Sequence, residues 1–206
     1  MKIQIFSLGP MQTNCYFLVD EATSECAVVD PGDECERILS LLDSHGLKIK
    51  MILLTHGHFD HMMALGKLRE ATGAPLYIHS ADAQALVDPS ISYMKQFAGI
   101  ERSEKPAEKL LEDGDIIEIG SSKVRVMHTP GHTPGSVCYI CGDKMVSGDT
   151  LFRGNIGRYD LIGGDYNVLC RSLEKLAALQ GDYRVYPGHG SSTTLENERR
   201  TNLYLQ

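Results

Sequence analysis

The sequence predicts an α/β domain in which two β-sheets pack together and helices cover their outer faces. Short apolar runs typical of strands alternate with segments whose apolar residues recur at helical spacing. The order strands, helix, strand, helix occurs twice along the chain. The 206 residues contain no Pro/Ser-rich linker, low-complexity tract or tandem repeat. We therefore expect a single domain over residues 1–206.

The first half of the chain is predicted to begin with strands and to continue with helices. Residues 49–54 form an almost fully apolar run, typical of a strand buried on both faces. The helix before this strand is expected to have Asp33 as its N-cap and to stop at Gly46. The other elements expected here are strands at 3–8, 15–19, 27–29 and 75–78, a helix after residue 61 that ends near Gly73, and a short helix from Ser80 to Val87.

The second half repeats the pattern after an irregular segment. Residues 88–110 contain Pro89, Gly99 and Pro106, which break any long element, so we expect an excursion that lies over the domain face as a lid or a dimer contact. The elements expected after it are strands at 116–119, 124–127, 136–140, 144–146 and 184–186, a helix over 166–179, and a terminal helix capped by Thr194.

Composition excludes several classes of protein. Twenty Lys and Arg against 27 Asp and Glu give a net charge of -7, which argues against a nucleic-acid-binding surface. No apolar run approaches the ~18 residues of a membrane span, and the first ten residues lack a signal-peptide core. Six cysteines are too few for a disulfide scaffold, so we expect a cytoplasmic protein. Cys138 and Cys141 face opposite sides of an alternating strand, so their C-x-x-C spacing does not predict a metal or redox site.

Five of the eight histidines fall into two short clusters, at 56–61 and 128–132. In the first loop, Thr-His-Gly-His-Phe-Asp-His, alternate side chains of an extended segment point the same way, so His56 and His58 can bind one cation. Asp60 and His61 open the following helix and approach from another direction, which is enough for a second cation. Imidazole and carboxylate ligands suit zinc or non-haem iron.

Three further loops follow apolar strand-like runs and carry residues of the same types. His132 and His189 each lie between small residues in Pro-Gly turns, and Asp149 follows a strand in a Gly-Asp-Thr turn. Loops at the carboxyl ends of neighbouring strands converge, so we expect these residues to join the first loop. His79 and His128 are predicted to support the site, and His45 to be exposed.

These residues resemble the hallmark of the metallo-β-lactamase fold superfamily, His-x-His-x-Asp-His followed by a distant His, Asp and His. Within it, the chain is most similar to the glyoxalase II-like hydrolases. The similarity extends through Leu-Gly-Pro at 8–10, Thr-Asn-Cys-Tyr at 13–16, Val-Asp-Pro-Gly at 29–32, Gly-Asp-Thr-Leu-Phe at 148–152, Tyr-Pro-Gly-His-Gly at 186–190 and Glu-Arg-Arg-Thr-Asn at 198–202. The resemblance implies an αββα sandwich with a dinuclear metal site at one edge.

The resemblance also implies a ligand set and two zinc ions, or iron or manganese in their place. His56, His58 and His132 would hold the first metal. Asp60, His61 and His189 would hold the second, with Asp149 bridging the two. Two cations lower the pKa of a bridging water towards ~7 and polarise the scissile carbonyl. Asp60 and Asp149 are the expected catalytic residues, and Asp60 would also orient the attacking hydroxide.

Two departures from the glyoxalase II pattern bear on the substrate. Only 17 residues follow His189, so we expect the chain to lack the additional C-terminal helical region that helps full-length glyoxalase II bind glutathione. Met62, Met63 and Ala64 stand where many relatives have small residues, and this bulk is expected to narrow the pocket. Both departures count against S-lactoylglutathione as the physiological substrate.

The segment after Asp149 is expected to contact the substrate. Arg153, Arg158 and Tyr159 stand there among glycines, next to the predicted metal edge. By analogy with short glyoxalase II-like proteins and persulfide dioxygenases, Arg158 would bind a substrate carboxylate bidentately. An alternative interpretation is a surface loop with ordinary solvated arginines.

The sequence therefore predicts a hydrolase of a small anionic thioester or ester, with no nucleic-acid or membrane partner. Two other enzymes of the same fold remain open, a mononuclear iron persulfide dioxygenase and a lactonase. The sequence does not distinguish zinc from iron, and it leaves the oligomeric state open.

Overall fold

In the computed structural model, which describes residues 1–101 and 103–206, the strands form two six-stranded mixed sheets. The strands of the first sheet lie in the order β1-β2-β3-β4-β5-β6, and those of the second in the order β14-β13-β10-β9-β8-β7. A short hairpin joins β11 and β12. The strands are β1 Lys2–Leu8, β2 Thr13–Asp20, β3 Glu25–Val29, β4 Lys48–Leu53, β5 Leu76–His79, β6 Lys109–Leu111, β7 Ile116–Ile119, β8 Ser122–His128, β9 Val137–Cys141, β10 Lys144–Gly148, β11 Leu151–Phe152, β12 Asn155–Ile156, β13 Arg184–Pro187 and β14 Thr193–Thr194.

Within residues 1–101 and 103–206, six α-helices connect and cover the sheets. The helices are α1 Cys35–Ser44, α2 Leu65–Thr72, α3 Ala83–Val87, α4 Met94–Ala98, α5 Tyr166–Ala177 and α6 Leu195–Thr201. Thr194 caps α6 as predicted, because its Oγ1 accepts a hydrogen bond from the Asn197 N–H over 3.2 Å. The predicted cap of α1 is wrong by one position. Glu34, in the left-handed conformation at φ 53°, precedes the helix, and Asp33 lies one residue earlier.

Three apolar clusters fill the spaces between four layers. The central cluster lies between the sheets, where Tyr16 and Leu53 of the first sheet share it with Val126 and Tyr139 of the second. The second cluster joins the outer face of the first sheet to α1 and α2. The third joins the outer face of the second sheet to α5 and α6. The layers are therefore helix, sheet, sheet, helix, which confirms the predicted αββα sandwich.

The alternation of side chains along β9 agrees with the sequence. Cys138 belongs to the cluster beneath α5, whereas Cys141 belongs to the cluster between the sheets. The two thiols point to opposite faces of one strand, so their C-x-x-C spacing does not form a metal or redox pair. All six cysteines are free.

The irregular excursion predicted over 88–110 is partly ordered into elements. It contains α4, and its end pairs with β5 as the edge strand β6. Arg102 lies outside the described residues. Among the described residues, no helix has the length and apolar character needed to cross a membrane.

Candidate metal centre

The loops that carry the predicted ligands leave strands at one edge of the sandwich. The first loop follows β4 in one sheet, and the other three follow β8, β10 and β13 in the other sheet. Backbone hydrogen bonds hold the sheets together at this edge. The Val137 N–H donates to Thr55 O over 2.9 Å, and the Asn14 N–H donates to Gly188 O over 2.8 Å. The four loops therefore meet, as the strand pattern indicated.

Three imidazoles converge in the first part of the cluster. The Nδ1 atom of His58 lies 2.9 Å from Nε2 of His132, which lies 3.2 Å from Nε2 of His56. All three side chains are buried. One nitrogen of each ring is within 4.8 Å of the others, so the three rings form a compact nitrogen donor set.

The second part of the cluster combines one carboxylate with two imidazoles. Asp60 Oδ2 lies 3.1 Å from His189 Nε2 and 3.7 Å from His61 Nε2. Asp60 and His61 belong to a 3₁₀ turn at Phe59–His61, not to the following α-helix as predicted, and α2 begins only at Leu65. This turn directs Asp60 and His61 to the same point from a different side than His56 and His58.

Asp149 lies between the two parts. Its Oδ2 atom is 3.6 Å from His132 Nε2 and 3.7 Å from His189 Nε2, while its Oδ1 atom is 3.5 Å from His61 Nε2. One carboxylate therefore approaches a member of the first set and two members of the second. The structure thus brings all seven residues predicted as ligands into one cluster.

Hydrogen bonds to the far nitrogens fix which atom of each ring faces the centre. The Thr55 hydroxyl donates to Asp30 Oδ2 over 2.7 Å, so its oxygen must accept from His56 Nδ1 at 3.0 Å. His61 Nδ1 donates to Asp30 Oδ2 over 2.9 Å. His132 Nδ1 donates to the backbone oxygen of Arg158 over 2.7 Å. In each ring the Nε2 atom is left to face the cluster, which is the arrangement that metal-binding histidines require.

Several atoms in the cluster have no protein partner, and this tests whether a cation fits. His61 Nε2 and Asp149 Oδ1 are buried and make no hydrogen bond to any described residue. Buried polar atoms normally have a hydrogen-bond partner. Unpartnered acceptors that point to one centre therefore indicate a site for a cation. Five imidazole nitrogens with two carboxylates suit Zn²⁺, iron or Mn²⁺, and among the described residues no thiolate belongs to the cluster. The residues fit divalent metal ions.

The pKa values of the histidines reflect this mixture of burial and carboxylates. Burial, reinforced by the neighbouring imidazoles, lowers the pKa of His56 well below its usual value. Burial and His132 lower the pKa of His58 to about 3. Burial alone would also lower the pKa of His61, but the carboxylates around it, Asp149 first, raise it to about 10. The carboxylates around His61 therefore favour positive charge in this part of the cluster.

Two buried aspartates that support the cluster were not assigned a role from the sequence. Asp30 orients His61 and, through Thr55, His56. Asp82 accepts hydrogen bonds from the Gly57 N–H, the Thr133 hydroxyl and the Gly135 N–H, at 2.6–2.8 Å. It thereby ties the first loop to the loop of His132. The sequence contains one signal for a role of Asp30, namely its position directly after an apolar strand. The segment that contains it was recognised only as part of the family resemblance.

Glycines allow the backbone to pass close to the ligands. A Cβ atom at Gly188 would overlap Asp149 Oδ1 and lie 2.7 Å from His61 Cε1. A Cβ atom at Gly157 would overlap the backbone oxygen of Asp149. The glycines at these two positions therefore have a steric reason, since a side chain at either one would displace Asp149.

A cavity of about 830 Å³ opens on the cluster, and His58, Asp60, His132, Asp149 and His189 line its base. This volume is within the range of small-molecule sites. The excursion contributes Tyr93, Phe97 and Ala98 to its lining, so that segment forms part of the cavity boundary.

Of the three residues predicted to contact substrate, Arg158 lines the cavity. Its guanidinium forms a bidentate ion pair with Asp160, with Nε and Nη2 at 2.8 and 2.9 Å from the carboxylate oxygens. Arg153 is exposed between β11 and β12, and Tyr159 packs against Tyr166 with ring centroids 4.8 Å apart. Neither is among the cavity-lining residues, and their contact with substrate stays a prediction.

The two methionines after the first loop and the histidines outside the ligand set lie partly in the core and partly at the surface. Met63 lines the cavity, whereas Met62 is buried in the core beneath it. His79 and His128 stack with ring centroids 3.9 Å apart, outside the ligand set. His128 Nε2 donates to Pro134 O over 2.8 Å and so braces the loop that holds His132. His45 is exposed, as expected.

Comparison with known sequences matches the Metallo-beta-lactamase superfamily model over residues 8–189. The chain is 40% identical over 208 residues to the probable metallo-hydrolase YqgX of Bacillus subtilis (strain 168), covering 100% of this chain and 98% of that protein. It is 34% identical over 210 residues to the hydroxyacylglutathione hydrolase GloC of Haemophilus influenzae, with the same coverage of 100% and 98%.

Solved structures agree with this assignment. BLEG-1 B3 metallo-beta-lactamase superposes with a TM-score of 0.93 at 37% identity, covering 100% of both chains. TTHA1623 in a di-iron-bound form gives 0.88 at 39% identity, covering 98% of this chain and 100% of that one. ETHE1 from Myxococcus xanthus gives 0.83 at 29% identity, covering 98% and 84%. With the sandwich, the ligand cluster and these matches together, the chain belongs to the metallo-beta-lactamase superfamily.

Proposed function

We propose that the protein is a metal-dependent hydrolase that cleaves a thioester or an ester of the S-acylglutathione type. The observation that carries the proposal is the position of the seven-residue cluster at the base of a substrate-sized cavity. Similarity to a probable metallo-hydrolase and to a hydroxyacylglutathione hydrolase supports the same reaction class.

The proposal assigns the cluster to two divalent cations. His56, His58 and His132 hold the first, and Asp60, His61 and His189 hold the second. Asp149, which approaches members of both sets, would bind both cations. When bound, the two cations supply hydroxide at neutral pH and polarise the substrate carbonyl as Lewis acids.

Asp60 and Asp149 have the catalytic roles among the protein side chains. Asp60 Oδ2 lies between Thr13 Oγ1, at 3.4 Å, and His189 Nε2, at 3.1 Å, and its carboxylate lines the cavity. The His61 and His189 imidazoles hold the pKa of Asp60 below its usual range, against the effect of burial. Asp60 is therefore an acceptor at neutral pH, and it orients the attacking water by accepting its hydrogen bond.

Arg158 is proposed to bind an anionic group of the substrate at the cavity margin. Its guanidinium is half exposed, and the pair with Asp160 uses Nε and Nη2. The Nη1 group is still available to a carboxylate. A single charge-assisted hydrogen bond at an exposed site contributes modestly, so Arg158 is expected to affect KM more than kcat.

Metal analysis and a substrate panel test the proposal. Native protein is analysed by mass spectrometry, loaded with zinc, iron or manganese, and assayed with S-lactoylglutathione, simple acyl thioesters, lactones and glutathione persulfide. Two metal ions per chain together with thioester or ester cleavage are the expected result. If the protein instead holds a single iron and consumes oxygen with persulfide, its activity is that of a dioxygenase and not of a hydrolase. The similarity to ETHE1 is the observation that favours this alternative. Preferential lactone cleavage would assign the same chemistry to a lactonase.

A further inference from the structure

Apolar side chains form most of the cavity boundary beyond the metal cluster. We refer to one group of them as the apolar wall. The apolar wall consists of Leu8, Met11, Phe59, Met63, Phe97 and Phe152. Phe59 and Met63 pack against the core beneath the first sheet, so part of the wall is held in place by the fold.

The excursion between α3 and β6 completes this wall with aromatic rings. Phe97 stacks on Phe59 with centroids 5.7 Å apart and an interplanar angle of 17°. The Tyr93 ring lies 5.7 Å from Phe97 and 5.8 Å from the His58 imidazole. The Tyr93 hydroxyl accepts a hydrogen bond from the Ile162 N–H over 2.6 Å, which joins the excursion to the loop of Arg158. The aromatic surface is therefore continuous with the metal cluster.

Two wall residues leave large apolar surfaces uncovered by protein. Phe97 is 64% exposed and Met11 is 53% exposed, and both line the cavity. Exposed apolar surface that borders a functional cavity is typical of a ligand-binding surface. Because the wall adjoins the metal cluster, a group attached to a carbonyl at the cluster would reach the wall.

The charges around the cavity favour an uncharged occupant. Outside the metal cluster, Asp33 and Arg158 are the charged residues that line the cavity among 1–101 and 103–206. Arg158 is already paired with Asp160, and Asp33 would repel a carboxylate. The cavity thus has room for one anionic group near Arg158. Further anionic groups would lie against apolar side chains, where desolvation of their charge is unfavourable.

We propose that the substrate of this site is a thioester or ester that carries an uncharged apolar substituent of several carbons, and that this substituent lies against the apolar wall. The proposal rests on the proposed hydrolase function and identifies the substrate class that it acts on. Each methylene buried against the wall stabilises the transition state, so kcat/KM is expected to rise about fourfold for each added carbon until the wall is covered.

Two series of uncharged substrates test this proposal on the metal-loaded, full-length protein. In the first, N-acetylcysteamine is the constant thiol and the acyl group lengthens from acetyl to hexanoyl. In the second, acetyl is constant and the thiol lengthens from methanethiol to pentanethiol. A rise in kcat/KM on the order of 10² along either series is expected, and the series that rises shows whether the substituent is on the acyl or the thiol side.

A variant pair assigns the effect to the wall. Phe97→Ala removes an exposed ring and is expected to lower the hexanoyl-to-acetyl ratio of kcat/KM about tenfold. Leu203→Ala is the matched control, since Leu203 is 79% exposed and is not a cavity residue. It is expected to leave the ratio unchanged.

The outcomes separate this proposal from the hydrolase function itself. If the acetyl thioesters are cleaved but kcat/KM rises along neither series, the apolar-substituent proposal is wrong. The hydrolase function is then still supported. The same holds if S-lactoylglutathione is cleaved with a higher kcat/KM than any member of either series. If the metal-loaded protein cleaves no ester or thioester at all, the proposed function fails, and this proposal fails with it.

Discussion

The His61 imidazole donates its Nδ1 proton to Asp30 Oδ2 over 2.9 Å, and both side chains are completely buried. The same carboxylate accepts hydrogen bonds from the Thr55 N–H and hydroxyl, and Thr55 in turn accepts from His56. One aspartate at the end of β3 therefore orients a histidine from each part of the metal cluster. The two parts of the cluster are coupled through a residue that belongs to neither.

Replacing Asp30 by Asn is expected to weaken metal binding. An Asn amide presents an N–H group to the His61 Nδ1–H or to Thr55, so at least one of these donors loses its acceptor. Loss of such an orienting partner lowers metal affinity by about 10–100-fold. Zinc affinity measured by chelator competition checks the expectation.

Asp20→Asn is the matched control for that variant. Asp20 is also buried and accepts hydrogen bonds from Ala22 and Ser121, but it lies at the opposite end of β2 from the cluster, about 23 Å away along the strand. This change is expected to lower stability without altering zinc affinity. Equal zinc affinity in Asp30→Asn and the unmodified protein would contradict the orienting role of Asp30.

Gly188→Ala is expected to displace the carboxylate of Asp149 from its position. The added Cβ would overlap Asp149 Oδ1 and lie 2.7 Å from His61 Cε1, so Asp149 must move. A displacement of about 1 Å in such a site costs on the order of 10² in rate. We expect kcat/KM to fall by at least that factor and metal content to fall from two ions towards one.

The control for this variant is Gly46→Ala, where the added Cβ meets nothing within 4 Å. Gly46 has φ 61°, so the alanine costs about 1 kcal/mol of stability through backbone strain. Metal content and activity are expected to stay unchanged in this control. A Gly188→Ala protein with two metal ions and full activity would show that Asp149 tolerates displacement.

Glu198 gives a pH-dependent contribution to stability. It is buried in α6 and accepts hydrogen bonds from the Gly154 N–H, the Thr193 hydroxyl and the Asn202 amide at 2.7–2.9 Å. Burial alone would raise the pKa of this carboxyl, but the donors lower it below its usual value. The contribution is therefore present above the unfolded pKa of about 4.3 and is lost as the pH falls through the folded pKa.

The variant Glu198→Gln tests this linkage. We expect it to lower the free energy of unfolding by about 2 kcal/mol at pH 7, because hydrogen bonds to a charged acceptor are lost. The difference from the unmodified protein is expected to stay constant down to about pH 5 and to shrink as the pH falls below about 4, as measured by urea unfolding at about pH 7 and about pH 3. Glu196→Gln, at an exposed position of the same helix, is the control and is expected to change stability little at either pH. A difference that is constant with pH would exclude the charge of Glu198 as its cause.

Local patterns predicted the sandwich and the ligand cluster because both depend on short-range signals. The apolar run at 49–54 and the helical periodicity of 166–179 were sufficient for β4 and α5, and the first loop carries four ligand residues within six positions. The support of the ligands was not predictable in the same way. Asp30 is 31 residues from His61, and Asp82 is 53 residues from Gly135, so their contacts arise only when the sheets pack.

The excursion shows a second limit of sequence reasoning. Its proline and glycine breaks predicted irregular structure, yet a single turn of helix places Phe97 on Phe59, and Tyr93 adopts φ 62° before that turn. A five-residue helix is too short to give a periodic signal. Its packing against the first loop supplied the information that the sequence pattern lacked.

Substitutions of Arg158 and of Asp160 are expected to change the KM of an anionic substrate in opposite directions. Arg158→Ala removes the cation at the cavity margin and is expected to raise KM for a glutathione thioester about threefold, since one charge-assisted hydrogen bond at an exposed site contributes modestly. Asp160→Asn removes the intramolecular partner and is expected to lower that KM about twofold, since an exposed ion pair contributes little. Steady-state kinetics with a glutathione thioester and with its uncharged N-acetylcysteamine analogue measure both effects. If KM for the glutathione thioester is the same in all three proteins, Arg158 does not bind the substrate.

Asp60→Asn is the most direct test of the catalytic cluster. The amide keeps the volume of the side chain, but it loses the negative charge that faces His61 and His189 and can no longer accept through both oxygens. General acid–base and orienting groups contribute about 10²–10⁴ in rate, and the loss of a metal ligand adds to that, so hydrolysis is expected to fall below detection. Asp60 is a side chain of a surface cavity, not of the core, so circular dichroism and thermal unfolding are expected to show a folded protein. Metal analysis of the same sample shows whether one ion is lost with activity. A folded Asp60→Asn protein that retains hydrolysis would contradict the mechanism proposed for all seven ligands.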